Sequence, residues 1–376
     1  MQIVWIGGIF DENTSLHRPA VSPAGVRWQR GFLQGLRGAS VGAQYLGHLP
    51  EPLWPRGQCW IAESTGVRDQ SVPGTLVPYW NLPIARPFSI VNRYVSTFKI
   101  LCQKFGKPDA LLSYNLAPQC TRLGTYAREL GIPWISFIAD QELSNFWESY
   151  RALTQDASGH VFLSWGAFQD CPSSPKYHLD GGIDDLRTGD PRRNGTCRIV
   201  YTGALSSYAG VSLLVNAFKK LRREDRELII CGKGWNADVA AAAKSDNRIH
   251  VMGAVPEREL ERICADATLF VNPRPASVPC NEFNFPSKIL EYLSYGKPVV
   301  STWTKGLAPS YHNVLSITEG DSPLALAAKI DEIASWDITR YRRQCERIQQ
   351  FVVRERLWNV QIRRFMDWMK NNVLRT

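Results

Sequence analysis

The sequence lacks most of the signals that would give a quick answer. Its nine cysteines are odd in number, scattered at positions 59, 102, 120, 171, 197, 231, 264, 280 and 345, with no C-x-x-C pair. That excludes a disulfide framework and a cysteine zinc site. No uncharged apolar run approaches the ~20 residues of a spanning helix. The opening MQIVWIGGIF has neither a charged n-region nor a cleavage site, so the expectation is a cytoplasmic protein. H-E-x-x-H, Walker, G-x-S-x-G and EF-hand patterns are also missing, which removes metalloprotease, P-loop kinase, hydrolase and calcium-sensor readings. GKGWNA (232–237) formally matches a dinucleotide fingerprint. The next strand, however, is followed by Ala254 and Val255 and not by an acidic residue, so a dehydrogenase reading fails.

What the chain has is length and alternation. Its 376 residues, 44% hydrophobic and 21% charged, suit two or three globular domains and not a disordered chain. The net charge of +9 is local: residues 338–376 hold ten Arg and Lys against three Asp and Glu, so a nucleic-acid role for the whole chain has little support. Apolar strand-like runs at 2–7, 109–114, 133–138 and 160–165 alternate with helical patterns at 25–36, 93–105 and 120–131. A polar, turn-rich stretch at 188–196 reads as a linker. The alternation then resumes, with strands at 198–203, 227–232, 248–253, 267–272 and 298–302 and helices at 211–221, 257–267 and 285–296. The pattern predicts two doubly wound α/β domains facing each other across a cleft, with ligands at the carboxyl ends of the strands.

The densest chemistry lies in VNPRPASVPCNEFNFPSKILEYLSYGKPVVST (271–302). A strand runs into an irregular loop, and a helix begins near Pro286, a residue suited to the first helical position. Free N–H groups at Phe285, Ser287 and Lys288, with the helix dipole and the Lys288 charge, make an anion site fit for a diphosphate. Glu291, one turn on, either accepts from ribose hydroxyls or forms an i, i+3 pair with Lys288. Glu282 and Arg274 in the loop reach a sugar and a phosphate respectively, or are simply solvated. In the first half, Gly7 and Gly8 form either a tight turn or a close backbone approach to a ligand. Arg27 and Gln29 open the next helix, and Asn115 and Asp140 follow strands where such domains place functional groups. His17 is a lone histidine that needs no ligand.

The segment NPR…EF…FPSKILEYLSYGKPVVST resembles the donor-binding motif of GT-B glycosyltransferases of family 4, in a Phe-Pro-Ser-Lys variant. The likeness extends through YTGALSSYAGVSLLVNAF, LIICGKG and VMGAVPERELERICADATLFVNP. It continues more weakly in WIGG, SPAGVRWQRGFLQGL and GGID of the first half. The resemblance implies a GT-B fold: an acceptor-side domain over 1–187, a linker at 188–196, a nucleotide-sugar domain over 197–355 and a crossover helix over 356–376. It also implies a retaining glycosyltransferase that uses a nucleoside diphosphate sugar, a UDP- or GDP-sugar, with a glycan or lipid-linked acceptor in bacterial surface polysaccharide synthesis, and no obligatory metal or other cofactor.

Position by position, the resemblance implies Glu291 at the ribose and Lys288 with the 285–288 amides at the diphosphate. Gly203 and Ser206 would approach the phosphates, while Gly232, Lys233, Gly253 and Val255 would lie near the base. Glu282 would contact donor-sugar hydroxyls and Asp140 would assist at the acceptor hydroxyl. Where the family places Arg and Lys after the first strand of this domain, this chain has Ala204 and Ala209. Lys288, Arg274 and Lys233 are the replacement cations, or the chain is a non-catalytic subunit with a degenerate donor site; a nucleotide-sugar epimerase is a further alternative. The basic stretch 340–376, a long helical run containing Trp358, Phe365 and Trp368, either rests on an anionic membrane surface or packs back on the first domain with its aromatics as core.

Overall fold

The computed structural model describes residues 1–10, 18, 21–65, 72–139, 146–187, 195–282 and 284–374. Asp140, His17 and most of the expected linker lie outside the described residues, as does the side chain of Glu282. The chain forms two compact units, one of Met1–Leu163, Ala167–Gly182 and Trp358–Thr376, the other of Ser164–Gly166 and Ile183–Leu357. Among the described residues no helix is long and apolar enough to cross a membrane.

In chain order the strands of the first unit are β1 (Gln2–Ile6), β2 (Gly42–Gly47), β3 (Trp60–Ile61), β4 (Ser64–Thr65), β5 (Gly74–Leu76), β6 (Tyr79–Trp80), β7 (Ala110–Tyr114), β8 (Trp134–Ile138), β9 (Gly159–Phe162) and β10 (Lys176–His178). Eight form one sheet in the order β10-β9-β8-β7-β1-β2-β5-β4, while β3 and β6 pair separately. The central strands are buried along nearly their whole length, as expected of a parallel sheet covered on both faces. The helix Pro23–Gly38 starts where Ser22 Oγ accepts from the Gly25 N–H at 3.2 Å, with Pro23 in its first turn. It buries Trp28, Phe32, Leu33 and Leu36 against the sheet.

The long helical run read over 340–376 is interrupted once, just at the start of the expected 356–376 helix. A helix Ile338–Phe351 passes into a π-helical turn, Val352–Arg356, and Leu357 is extended (φ −67°, ψ 141°) before a second helix, Trp358–Asn372. The break is held from outside the helix. The Ile183 N–H donates to the Arg356 carbonyl at 2.7 Å, Ile183 bridges to Leu357, and the buried Arg356 guanidinium donates to Tyr311 Oη and Ser310 Oγ at 3.0 Å. Beyond the break, Trp358, Ile362, Phe365, Met366 and Met369 join the core of the first unit. Gly31 and Gly182 make room for this, since a Cβ on either would come within 2.3 Å of the Trp358 indole. Trp368 is partly buried and stacks on Tyr177, so of the two readings of this stretch the aromatics take the one in which they pack on the first unit.

The second unit holds β11 (Cys197–Thr202), β12 (Arg226–Cys231), β13 (Ile249–Gly253), β14 (Leu269–Asn272), β15 (Val299–Ser301) and β16 (Leu315–Ile317). They form a wholly parallel sheet in the order β13-β12-β11-β14-β15-β16. The winding reverses between β11 and β14, so the crevice beyond their carboxyl ends is the place where this topology binds ligands. Two helices absent from the sequence reading, Ala237–Ser245 and Pro323–Ala334, complete the layers.

Candidate functional site

The carboxyl edge of the second sheet is tied together chiefly by backbone. After β11, the Gly203 N–H donates to the Cys231 carbonyl at 2.9 Å and the Leu205 N–H to the Lys233 carbonyl at 2.9 Å; the Gly232 N–H donates to the Gly253 carbonyl at 2.7 Å. The loops after β11, β12 and β13 are therefore laced in series. Gly232 has φ +157°, and a Cβ there would sit 1.6 Å from the Gly203 carbonyl oxygen. No side chain is compatible with that approach.

The 273–282 loop is fastened to the same edge. Asn281, almost wholly buried, donates through its amide to the Tyr208 carbonyl at 2.7 Å and to the Pro275 carbonyl at 3.0 Å. Gly210, at φ +79°, lies so close to Pro273 that a Cβ would meet its carbonyl at 1.9 Å. The Thr302 hydroxyl donates to the Arg274 carbonyl. The Arg274 charge acts on Tyr201, whose hydroxyl donates to the Ala204 carbonyl at 2.8 Å. Arg274 is thereby placed at the loop that carries Ala204 and Ser206. Ser206 Oγ is buried with no hydrogen-bond partner among the described residues, and Ala204 is exposed while Ala209 is buried.

The helix of the Phe-Pro-Ser-Lys segment runs over Lys288–Ser294, shorter than the expected 285–296, because its first turn is tighter than α-helical. The Ile289 and Leu290 N–H groups donate to the carbonyls of Pro286 and Ser287, leaving the N–H groups of Ser287 and Lys288 as the donors this turn does not use. Phe285 is buried against Tyr311. Lys288 Nζ lies 2.8 Å from Glu291 Oε2, the lysine about one-third exposed and the glutamate mostly buried. The Lys288 charge also reaches the Cys231 thiol, whose pKa burial pushes up to about 11. Glu291 is within charge reach of Arg187, which bonds Tyr295 Oη at 3.1 Å and pairs with Glu261.

Tyr292 fixes this helix to the sheet. Its fully buried hydroxyl accepts from the Thr202 N–H at 2.9 Å and donates to the Thr202 carbonyl at 3.0 Å, closing the last residue of β11. Sequence reasoning missed Tyr292, Asn281 and Arg187. For Tyr292 a signal existed, since it directly follows Glu291 in a helix whose Ile289, Leu290 and Leu293 are apolar and buried. For Asn281 and Arg187 none did. Lys297, beside the same motif, is a structural cation: it bonds the Ala265 and Ala267 carbonyls at the end of the helix Glu257–Ala265. Lys233 is exposed and Val255 half-buried at the same edge.

In the first unit the candidates are engaged differently. Gly7 donates its N–H to the Leu46 carbonyl, and the space a Cβ would take is filled by Gln29 Oε1 at 2.0 Å and Trp5 Nε1 at 2.4 Å. Gln29 Oε1 accepts from Trp5 Nε1 and the Gly8 N–H, each at 3.0 Å. Arg27 is exposed on the same helix. Asn115 adopts φ +60°, and its Oδ1 accepts from the Ala139 N–H at 2.8 Å, tying the end of β7 to the residue before Asp140. Among the described residues no group of three or more His, Cys, Asp or Glu is placed to hold a metal.

Residues 196–335 match the sequence model of a family described as Glycosyl transferases group 1. A search of curated proteins finds no match. Among solved structures, a glycosyltransferase from Rickettsia africae superposes with a TM-score of 0.72 at 15% identity, covering 98% of each chain. The HepE protein of Anabaena, solved with UDP and glucose, gives 0.69 at 13% identity over 99% of this chain and 100% of that one. A lipopolysaccharide outer-core galactosyltransferase gives 0.67 at 12% over 99% of both. These likenesses establish the GT-B fold, and residues 196–335 of the second unit are similar to the glycosyltransferase group 1 family.

Proposed function

We propose that the protein is a retaining glycosyltransferase that moves a sugar from a nucleoside diphosphate sugar, a UDP-sugar before a GDP-sugar, to a hydroxyl of a glycan or lipid-linked glycan in bacterial surface polysaccharide assembly. The observation that carries the reading is the place of Lys288 and Glu291 in the fold, on a helix pinned by Tyr292 to the end of β11, at the point where the winding of the sheet reverses. Their contact with each other is the i, i+3 pair that the sequence offered as the alternative to a ribose role for Glu291. Similarity to HepE, solved with UDP and glucose, supports the choice of base, and similarity to an outer-core galactosyltransferase supports the pathway class.

In this reading the pair is the resting arrangement of the donor site. On donor binding Lys288 turns to the diphosphate and Glu291 to the ribose hydroxyls. The Ser287 and Lys288 amides and Arg274 add positive potential where the leaving group gains charge. The bond from the anomeric carbon to the diphosphate breaks, the acceptor oxygen bonds the same face of that carbon, and the departing phosphate takes the acceptor proton. Glu282 at the donor sugar and Asp140 at the acceptor hydroxyl belong to the proposal, as do backbone contacts from Gly203, Gly232 and Gly253.

A second reading, a non-catalytic subunit, draws on Ala204 and Ala209 standing where the resemblance expects cations. A thermal-shift screen against UDP, GDP, ADP, CDP and dTDP separates the two. The enzyme reading expects one diphosphate to stabilise the wild type, no shift in Glu291→Ala or Lys288→Ala, and turnover of the matching sugar donor. A chain that binds none at millimolar concentration is the degenerate subunit.

A further inference from the structure

The helix Ile338–Phe351 of the second unit carries Arg340, Arg343 and Arg347 at i, i+3 and i+7, a spacing that sets all three on one face. A second face is anchored in the fold. Tyr341, Cys345 and Ile348 are buried there, and Tyr341 Oη donates to the Thr268 carbonyl at 2.8 Å. The arginine face borders a cavity of about 380 Å³, lined elsewhere by the turn Pro309–Asn313, the first two residues of β16 and Trp336. Gln344 Nε2 donates to the Val314 carbonyl at 3.0 Å, which ties the helix to the start of that strand. The sheet is wholly parallel, so the amino end of β16 lies at the edge opposite the carboxyl end of β14, from which the donor segment starts.

The charge around this cavity is unbalanced. Arg340 pairs with Glu332 at 2.7 Å and lies 4.6 Å over the Trp336 ring. Glu332 is already shared with Lys329 at 2.9 Å, and Asp337 is used to accept the Arg340 N–H at the helix start. Arg343 and Arg347 have no ion pair and no side-chain hydrogen bond among the described residues, and Glu346, the one acid of the helix, pairs with neither. Like charges one turn apart repel. We infer that this cavity binds a small phosphorylated molecule with at least two anionic groups, at a site separate from the donor site. The planar fork of a guanidinium matches phosphate oxygens two at a time. From residue 340 to 347 the arginines span about 10 Å of helix, which suits two anionic groups better than one. The cavity is of small-molecule size, near the lower end of the ~300–1,000 Å³ of ligand pockets. His312, held by stacking on the Trp303 ring at 3.7 Å, and Ser316 line the same cavity and offer polar contacts to the body of the ligand. None of these residues belongs to the donor reading, so the inference stands apart from it.

The test is a calorimetric titration of fructose bisphosphate, with fructose as the uncharged control, into the full chain and three variants. The wild type should bind one bisphosphate and no fructose. Arg343→Gln with Arg347→Gln, at exposed positions that leave the melting temperature unchanged, should lower affinity at least ~10-fold. Lys288→Ala should bind like the wild type, and so should Lys219→Gln with Lys220→Gln, which removes the same charge from another exposed place. The inference is overturned by absence of saturable binding at millimolar concentration, or by an arginine variant that binds like the wild type. Loss in Lys288→Ala would put the probe at the donor segment, and equal loss in the 219/220 variant would make the effect one of net charge; either also overturns it. So would phosphatidylglycerol vesicles that sediment the wild type but not the arginine variant, since the arginines would then serve a lipid headgroup.

Discussion

Behind β1 and behind β11 the chain ties its loop by the same backbone bond, Gly7 N–H to the Leu46 carbonyl and Gly203 N–H to the Cys231 carbonyl, beneath an aromatic ring two residues back; the two loops differ in what else fills them. Gln29 and Trp5 fill the space over Gly7, so the edge of the first sheet is packed by its own residues. Over Gly203 lies the Tyr201 ring with no counterpart of Gln29, while the Leu205 and Gly232 N–H groups bond the Lys233 and Gly253 carbonyls, and Lys288, Glu291 and Arg274 are the charged side chains nearby. Backbone lacing fixes a loop and frees its side chains for a ligand, whereas side-chain lacing spends them on packing. In the proposed reading the donor site lies in the second unit, beside the loop whose space no glutamine fills, and Gln29 gives the turn at Gly7 a packing role.

The sharpest way to break the comparison is to add one methyl group on each side. Gly232→Ala sets a Cβ against a fixed carbonyl and should cost on the order of 4 kcal/mol in chemical denaturation. Gly7→Ala meets side chains instead, Gln29 Oε1 and the buried Trp5 indole, which can shift where a carbonyl cannot, and should cost about 2–3 kcal/mol. Equal losses would erase the distinction.

Acid should act on the first unit. His48 and His160 are buried there against the hydroxyls of Tyr94 and Tyr150, and burial lowers both from the usual 6.5 to about 4. Between those values the unfolded chain binds the more protons, so their stabilisation is complete above pH 6.5 and is lost as pH falls to 4. The loss is about 3 kcal/mol per histidine. Hydrogen exchange at pH 7 and pH 4.5 should show the first unit opening more than the second, and uniform opening would refute the assignment.

Tyr292→Phe tests the pin beneath the donor helix. Thr202 would keep a buried N–H and carbonyl without their partner, at a cost of about 1–3 kcal/mol in the melting transition. Nucleotide affinity should fall with it, and an unchanged affinity would mean that the pin does not position the helix. The smallest effect on stability should come from Lys288→Ala, within ~1 kcal/mol for a half-buried pair near the surface, although the same change should remove diphosphate binding.

Most of the alternation was legible because buried parallel strands such as Ile3–Ile6 and Ile199–Thr202 are apolar throughout. β2, with Gly42 and Gln44 in its run, and the three-residue β5, β10 and β16 are too short or too polar to register. The helix Ala237–Ser245 escaped because alanine on every face leaves no period. The break at Leu357 was not legible at all, since its cause is Ile183, far away in sequence. At the site, the Lys288–Glu291 spacing announced the pair. The lacing around it depends on backbone geometry and on Tyr292 and Asn281, which only the folded chain brings to β11 and the 208–210 turn.

The most direct measurement is a calorimetric titration of UDP into the wild type and Lys288→Ala, with Gly7→Ala as the control from the other sheet. The account predicts that the wild type and Gly7→Ala bind alike, while Lys288→Ala loses at least ~10-fold, a factor equal to about 1.4 kcal/mol. Equal affinity in all three proteins, or a loss in Gly7→Ala that matches Lys288→Ala, would contradict it.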